Sequence, residues 1–190
     1  MYSLSVPKEN NPVKRQHLEK EIQRLMDSYG NDVLRTSYMY LKDLQKAEDA
    51  FQEVFIKVFN KFESFKGESN EKTWIVRITI NVCKDILRSS WLKRVQVTDK
   101  FKEESTDTGV ENKIIKMDEN RLLFKEVTSL PPKFKEVIIL YYYHNCSTPE
   151  VSKILKVAEG TVRSRLHRAR EILKTKLGGR IDLDESNEEL

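Results

Sequence analysis

Apolar residues recur at helical spacing through two blocks of the chain, roughly residues 14–91 and 121–177, and the segment between them loses the pattern. The first block predicts helices over about 14–29, 32–40, 44–62 and 73–88. In the third of these, Phe51, Val54, Phe55, Val58, Phe59 and Phe62 form a broad apolar face, and Glu48, Asp49, Gln52 and Glu53 stand on the other side. In the fourth, Ile75, Ile78, Val82 and Ile86 recur at spacings of 3, 4 and 4, and Arg77, Asn81, Lys84 and Arg88 form a second, polar stripe at spacings of 4, 3 and 4. Between these helices lies the polar segment FKGESNEK, residues 65–72.

The second block reads LPPKFKEVIILYYYHNCSTPEVSKILKVAEGTVRSRLHRAREIL over residues 130–173, an apolar-periodic helix followed by two short helices joined by a turn. Ser147 and Glu150 have capping-box spacing and Pro149 lies in the first turn, so the first short helix has its start signal. Val151, Ile154 and Leu155 make its buried face. In the second short helix Val162, Leu166, Ala169 and Leu173 form an inward stripe, and Arg163, Ser164, His167, Arg168 and Arg170 occupy the opposite side. A capped helix, a turn and a basic second helix together predict a helix-turn-helix that reads DNA, because guanidinium forks match both phosphate oxygens and the acceptor pair of guanine.

Charge sharpens this picture. The formal net charge is only +4, yet residues 130–180 carry eleven basic and four acidic side chains, and residues 181–190 carry five acids and no base. A localised basic surface points to a polyanionic partner more strongly than the total does. Residues 95–120 are polar and mixed in charge, short of the apolar surface needed to fold alone, and read as a flexible linker spanning on the order of 80 Å when extended. The Gly178-Gly179 pair ends the last helix, and residues 178–190 read as a disordered acidic tail.

Other chemistries find little support. Cys83 and Cys146 lack the Cys/His neighbours of a metal site and read as buried thiols, so no metal and no cofactor is expected. The carboxylates of the third helix have no histidine, cysteine or apolar pocket around them, which argues against an enzyme and a small-molecule substrate. Phe62, Phe65 and Trp74 lie near the basic stripe of the fourth helix, where they either stack on exposed bases or pack internally. No apolar run approaches the ~20 residues that span a bilayer, and a cytoplasmic protein with no direct membrane insertion is expected.

The motifs AEDAFQEVFIKVF at residues 47–59, FKGESNEKTWIVRITINVCKDILR at 65–88, LPPKFKEVIILYYY at 130–143 and EVSKILKVAEGTVRSRLHRARE at 150–171 resemble the extracytoplasmic-function sigma factors of the sigma-70 family. The likeness spans about residues 25–177 apart from the linker. It implies an all-α protein of two small helical domains, a region 2 bundle over 14–94 and a region 4 helix-turn-helix over 121–177. It also implies a function: binding core RNA polymerase and directing transcription initiation by reading the −10 and −35 promoter elements. Glu48, Asp49, Gln52 and Glu53 match the face that docks on the β′ clamp helices, and region 4 implies a contact with the β flap. Lys66, Glu68, Ser69 and Asn70 match the loop that captures a flipped −10 base, a step that costs a few kcal/mol of unstacking. Arg77, Asn81, Lys84 and Arg88 match the adjoining −10 surface. Arg163, Ser164, His167 and Arg168 match positions facing −35 bases or nearby phosphates, with Thr161 placed to hold a phosphate at the start of that helix. Members of the family are typically held inactive by an anti-sigma factor, which the resemblance adds to the expected partners.

Three positions depart from the family's habit. Lys156 stands in the turn where glycine is frequent, Ser152 replaces a frequent alanine, and Ala158 replaces a frequent cap residue. The first and last of these each imply a cost of roughly 1 kcal/mol. The alternative reading is a dimeric helix-turn-helix repressor or activator, which requires a ligand or dimerisation domain ahead of the DNA-binding unit.

Overall fold

The computed structural model describes residues 12–65, 67, 70–96 and 121–178. They are helical with no strand among them, and they fall into two compact units, one before and one after residues 97–120. Most of the linker and the tail beyond Gly178 lie outside the described residues.

The first unit contains α1 (Pro12–Leu41), α2 (Leu44–Lys61) and α3 (Glu71–Gln96). Where the sequence predicts two helices over 14–29 and 32–40, the structure has one, running through Gly30 without a break. The glycine serves packing instead of a turn: a Cβ there would lie 3.3 Å from the Phe51 ring of α2, so its absence lets the two helices approach. The turn into α2 is built by Lys42, in the left-handed region at φ 55, and by Asp43, whose carboxylate accepts the Lys46 N–H at 3.0 Å as an N-cap.

Leu25, Val33 and Met39 of α1 meet Ala47, Ala50, Val54, Phe55 and Val58 of α2 in the core. α3 is buried along most of its first half. Beyond the predicted Ile75, Ile78 and Val82, it buries Val76, Thr79, Ile80 and Cys83, whereas Ile86 is half-buried. A short 3-10 turn, Phe62–Ser64, closes the end of α2.

The second unit contains α4 (Arg121–Ser129), α5 (Pro132–Ile138), α6 (Thr148–Leu155) and α7 (Glu159–Lys176). Pro131 precedes α5 and Pro132 opens it, where a missing backbone donor costs least. The helix predicted to continue through the tyrosines instead widens over Ile139–Tyr143 into a π turn, with the His144 N–H donating to Ile139 O at 3.1 Å. Val151, Ile154, Leu155, Val162, Leu166, Ala169 and Leu173 are buried as the periodicity requires. At the far end, Lys176 reaches back to Glu126 (3.1 Å) and Ser129 (2.6 Å), tying α7 to α4.

The helix-turn-helix turn explains two of the unusual positions. Lys156 adopts φ 56, ψ 47, a left-handed C-cap that costs a side-chain-bearing residue roughly 1–2 kcal/mol. Ser152 offsets part of this by donating its hydroxyl to Val157 O at 2.7 Å while accepting the Val157 N–H on its carbonyl at 3.2 Å. Ala158 caps α7 with no side-chain hydrogen bond, as expected of that residue. Lys156→Gly is expected to raise stability by about 1 kcal/mol and Ser152→Ala to lower it by about 1 kcal/mol. Denaturant unfolding of the two variants checks this; a destabilised glycine variant would show that Lys156 has another role.

Candidate nucleic-acid and polymerase interface

α2 turns its polar side outward because its apolar stripe is consumed by the core. Glu48, Asp49 and Gln52 are exposed, and Glu53 is half-buried and ion-paired with Lys57 at 2.8 Å. Ile56 shares this side at 42% exposure. The sequence reading has no apolar residue on that face, although an isoleucine three and four positions after two polar face residues is the signal that marks it.

The start of α3 is fixed from three directions. Asn70 accepts the Thr73 N–H on its side-chain oxygen at 2.7 Å, so the helix begins at Glu71, two residues ahead of its predicted start. Arg24 of α1 makes a bidentate bridge to Glu71, at 2.6 and 3.1 Å, while its Nε donates to Glu21 at 3.0 Å. Lys72 pairs with Asp32 of α1 at 3.4 Å. Phe65 stacks on Trp74 with centroids 4.7 Å apart, so each ring already has one face covered, while Phe62 is half-buried.

Along α3 the predicted polar stripe is unevenly displayed. Asn81 and Arg88 are exposed, whereas Arg77 and Lys84 are half-buried. The Arg77 Nε is enclosed without a hydrogen-bond partner among the described residues. Asn70 is exposed beside this helix start, and Lys66, Glu68 and Ser69 lie outside the described residues.

In the second unit the capping box forms as predicted, with Glu150 accepting both the Ser147 N–H and its hydroxyl at 2.9 Å. Arg163, Ser164, His167 and Arg168 are all exposed on one side of α7, opposite Val162, Leu166 and Ala169. Thr161 is half-buried, and its N–H already donates to Ala158 O at 2.9 Å, which leaves the hydroxyl as its contribution to an anion site. Arg170 departs from the predicted basic face. Its Nε donates to the Tyr142 hydroxyl at 2.8 Å and its guanidinium lies 5.8 Å from the centroids of both Tyr141 and Tyr142, so this cation is spent within the fold.

Residues 25–93 match Sigma-70 region 2, and residues 121–173 match Sigma-70, region 4. The ECF RNA polymerase sigma-E factor of Haemophilus influenzae is 33% identical over 171 residues, which cover 84% of this chain and 88% of that protein. The chain belongs to the ECF sigma factors. The SigX sigma factor of Bacillus subtilis is 28% identical over 162 residues, covering 83% of this chain and 84% of its own length. Among solved structures, the sigma factor RpoE of Bartonella quintana, crystallised with the anti-sigma factor NepR, has the same fold at a TM-score of 0.64 and 22% identity, covering 87% of this chain and 99% of that one. CnrH, in complex with the cytosolic domain of CnrY, matches at a TM-score of 0.61 and 17% identity, covering 86% and 91%. For this sigma factor the dimeric repressor reading fails on its first unit, which is sigma region 2 where that reading needs a ligand or dimerisation domain.

No helix among the described residues is long and apolar enough to cross a membrane, and no group of three or more His, Cys, Asp or Glu among them is placed to hold a metal. The electrostatics of the site centre on the Arg24 bridge. Its guanidinium lowers the Glu71 carboxyl below the usual carboxylate range, and the bridge raises Arg24 in turn. Burial, reinforced by the Glu71 charge, raises Tyr29, whose hydroxyl lies 3.4 Å from Glu71. Because Glu71 is depressed on folding, its contribution is fully present above the unfolded value of about 4.3 and is lost as pH falls through the lower folded value. Arg24→Gln is expected to flatten the loss of melting temperature between about pH 5 and pH 3 relative to the parent. Parallel curves for the two proteins would remove Arg24 as the latch on α3.

Proposed function

We propose that this ECF sigma factor docks on the β′ clamp helices of core RNA polymerase through Glu48, Asp49, Gln52 and Glu53, with Ile56 as the apolar centre of the face. An exposed isoleucine ringed by carboxylates and an amide has the make-up of a protein interface, an apolar spot inside a polar rim. Asn70, Arg77, Asn81, Lys84 and Arg88, together with Lys66, Glu68 and Ser69, read and open the −10 element. Arg163, Ser164, His167 and Arg168 read the −35 element, and the Thr161 hydroxyl contacts a phosphate beside it. The observation that carries this reading is the pairing of stripes: in each matched region a helix buries one apolar face and presents a polar, cation-bearing face opposite to it.

Region 4 also contacts the β flap, and the protein acts in the cytoplasm, where an anti-sigma factor covers its polymerase-binding surfaces. One fold relative, RpoE of Bartonella quintana, was crystallised with an anti-sigma factor, in keeping with that control. The sigma factor performs no covalent chemistry and needs no cofactor; phosphoryl transfer belongs to the polymerase.

Asp49→Lys combined with Glu53→Lys is expected to abolish co-elution with bacterial core RNA polymerase on size exclusion while circular dichroism stays native. Unchanged co-elution would sink the docking assignment. Arg163→Ala is expected to cost about 1–3 kcal/mol at the −35 element and to relax base selectivity there. Equal loss on every DNA sequence would identify it as a phosphate contact only.

A further inference from the structure

Arg163 is bridged to both helices of the helix-turn-helix through a single oxygen. Its Nη2 donates to Glu159 Oε1 at 2.7 Å, one turn back on α7, and the same oxygen accepts the Thr148 hydroxyl at 2.9 Å from the first turn of α6. Glu159 opens α7, where the helix dipole favours a carboxylate. The Arg163 side chain remains 64% exposed and that of Glu159 37%, so the bridge lies at the outward face of α7 and not beneath it. Arg168, exposed on the same face, makes no ion pair among the described residues.

An arginine on a flexible stem near DNA is drawn first to the closest phosphate, an attraction that carries no sequence information. A carboxylate one turn away offsets that attraction, because the same phosphates repel it. An ordinary exposed pair at this spacing would do so weakly, since both side chains swing freely. The Thr148 hydroxyl removes that freedom from Glu159 and so gives the guanidinium a fixed direction. Direction is what a bidentate contact with guanine O6 and N7 requires, because the fork and the acceptor pair must be coplanar. We propose that Glu159, anchored by Thr148, is a specificity-determining positioning residue that keeps Arg163 off the phosphates and aims it at a base edge. The proposal rests on α7 being the −35 helix and adds two residues to which that reading gives no part.

The test uses the full chain bound to bacterial core RNA polymerase and a duplex library randomised across the −35 segment. Glu159→Gln keeps an acceptor oxygen and removes the charge; Thr148→Val keeps the charge and removes the anchor. Glu159→Gln is expected to tighten binding to random sequence and to steepen the salt dependence of log K by about 0.9, the signature of one added phosphate contact. The same variant is expected to cut the preference at the base pair met by Arg163 by about threefold or more. Thr148→Val is expected to reduce that preference with the salt slope unchanged. Variants that melt like the parent yet match its preference and slope overturn the proposal, as does a Glu159→Gln loss that is uniform across the library. Arg163→Ala run in parallel separates the two levels. If it flattens one base pair and the other variants do not, the positioning role alone fails; if it flattens none, Arg163 is a phosphate contact only, and its part in the −35 reading fails together with the positioning role.

Discussion

Burial of one apolar stripe per helix decides where every charged stripe in this protein points. Removing a Val, Leu or Ile side chain from water stabilises by about 1.5–3 kcal/mol, whereas an exposed ion pair contributes about 0–1 kcal/mol. α3 buries Ile75, Val76, Ile78, Ile80, Val82 and Cys83, and α7 buries Val162, Leu166, Ala169 and Leu173. No arrangement of surface cations competes with those sums, so the rotation of each helix about its axis is set from inside. Asn81, Arg163 and Arg168 face outward because their neighbours one or two positions away cannot.

That logic is why periodicity alone locates the inward stripes of α2, α3 and α7, while the Ser147/Glu150 spacing locates the capping box. It fails where a contact distant in sequence overrides a local preference. Gly30 reads as a break because glycine is a poor helix former, and only the Phe51 ring on another helix reveals why it is there. α3 starts early because the Asn70 cap and the Arg24 bridge reward it, and the second of these joins residues 47 apart. The π turn over Ile139–Tyr143 carries no composition signal at all. The exposed members of the candidate surfaces, Asp49, Gln52, Asn81 and Arg163 among them, stand where the stripes put them.

Counting cations overstates the basic surface of the second unit. Arg170 is committed to Tyr142, Lys176 to Glu126 and Ser129, and Arg163 to Glu159. The carboxylates that take Lys176 and Arg163 raise order at the expense of net positive potential, an exchange that favours selective over indiscriminate attraction to a polyanion. The strained Lys156 turn follows the same pattern, since the Ser152 hydroxyl secures a backbone conformation that its neighbour does not favour.

Each unit also encloses one thiol, Cys83 in the first and Cys146 in the second, and both are buried. An alkylating reagent can reach either sulfur only when the surrounding helices open, so the rate of its reaction measures the opening free energy of that unit by itself. Two sulfurs, one in each half of the molecule, thereby make the chain its own two-channel reporter of local unfolding.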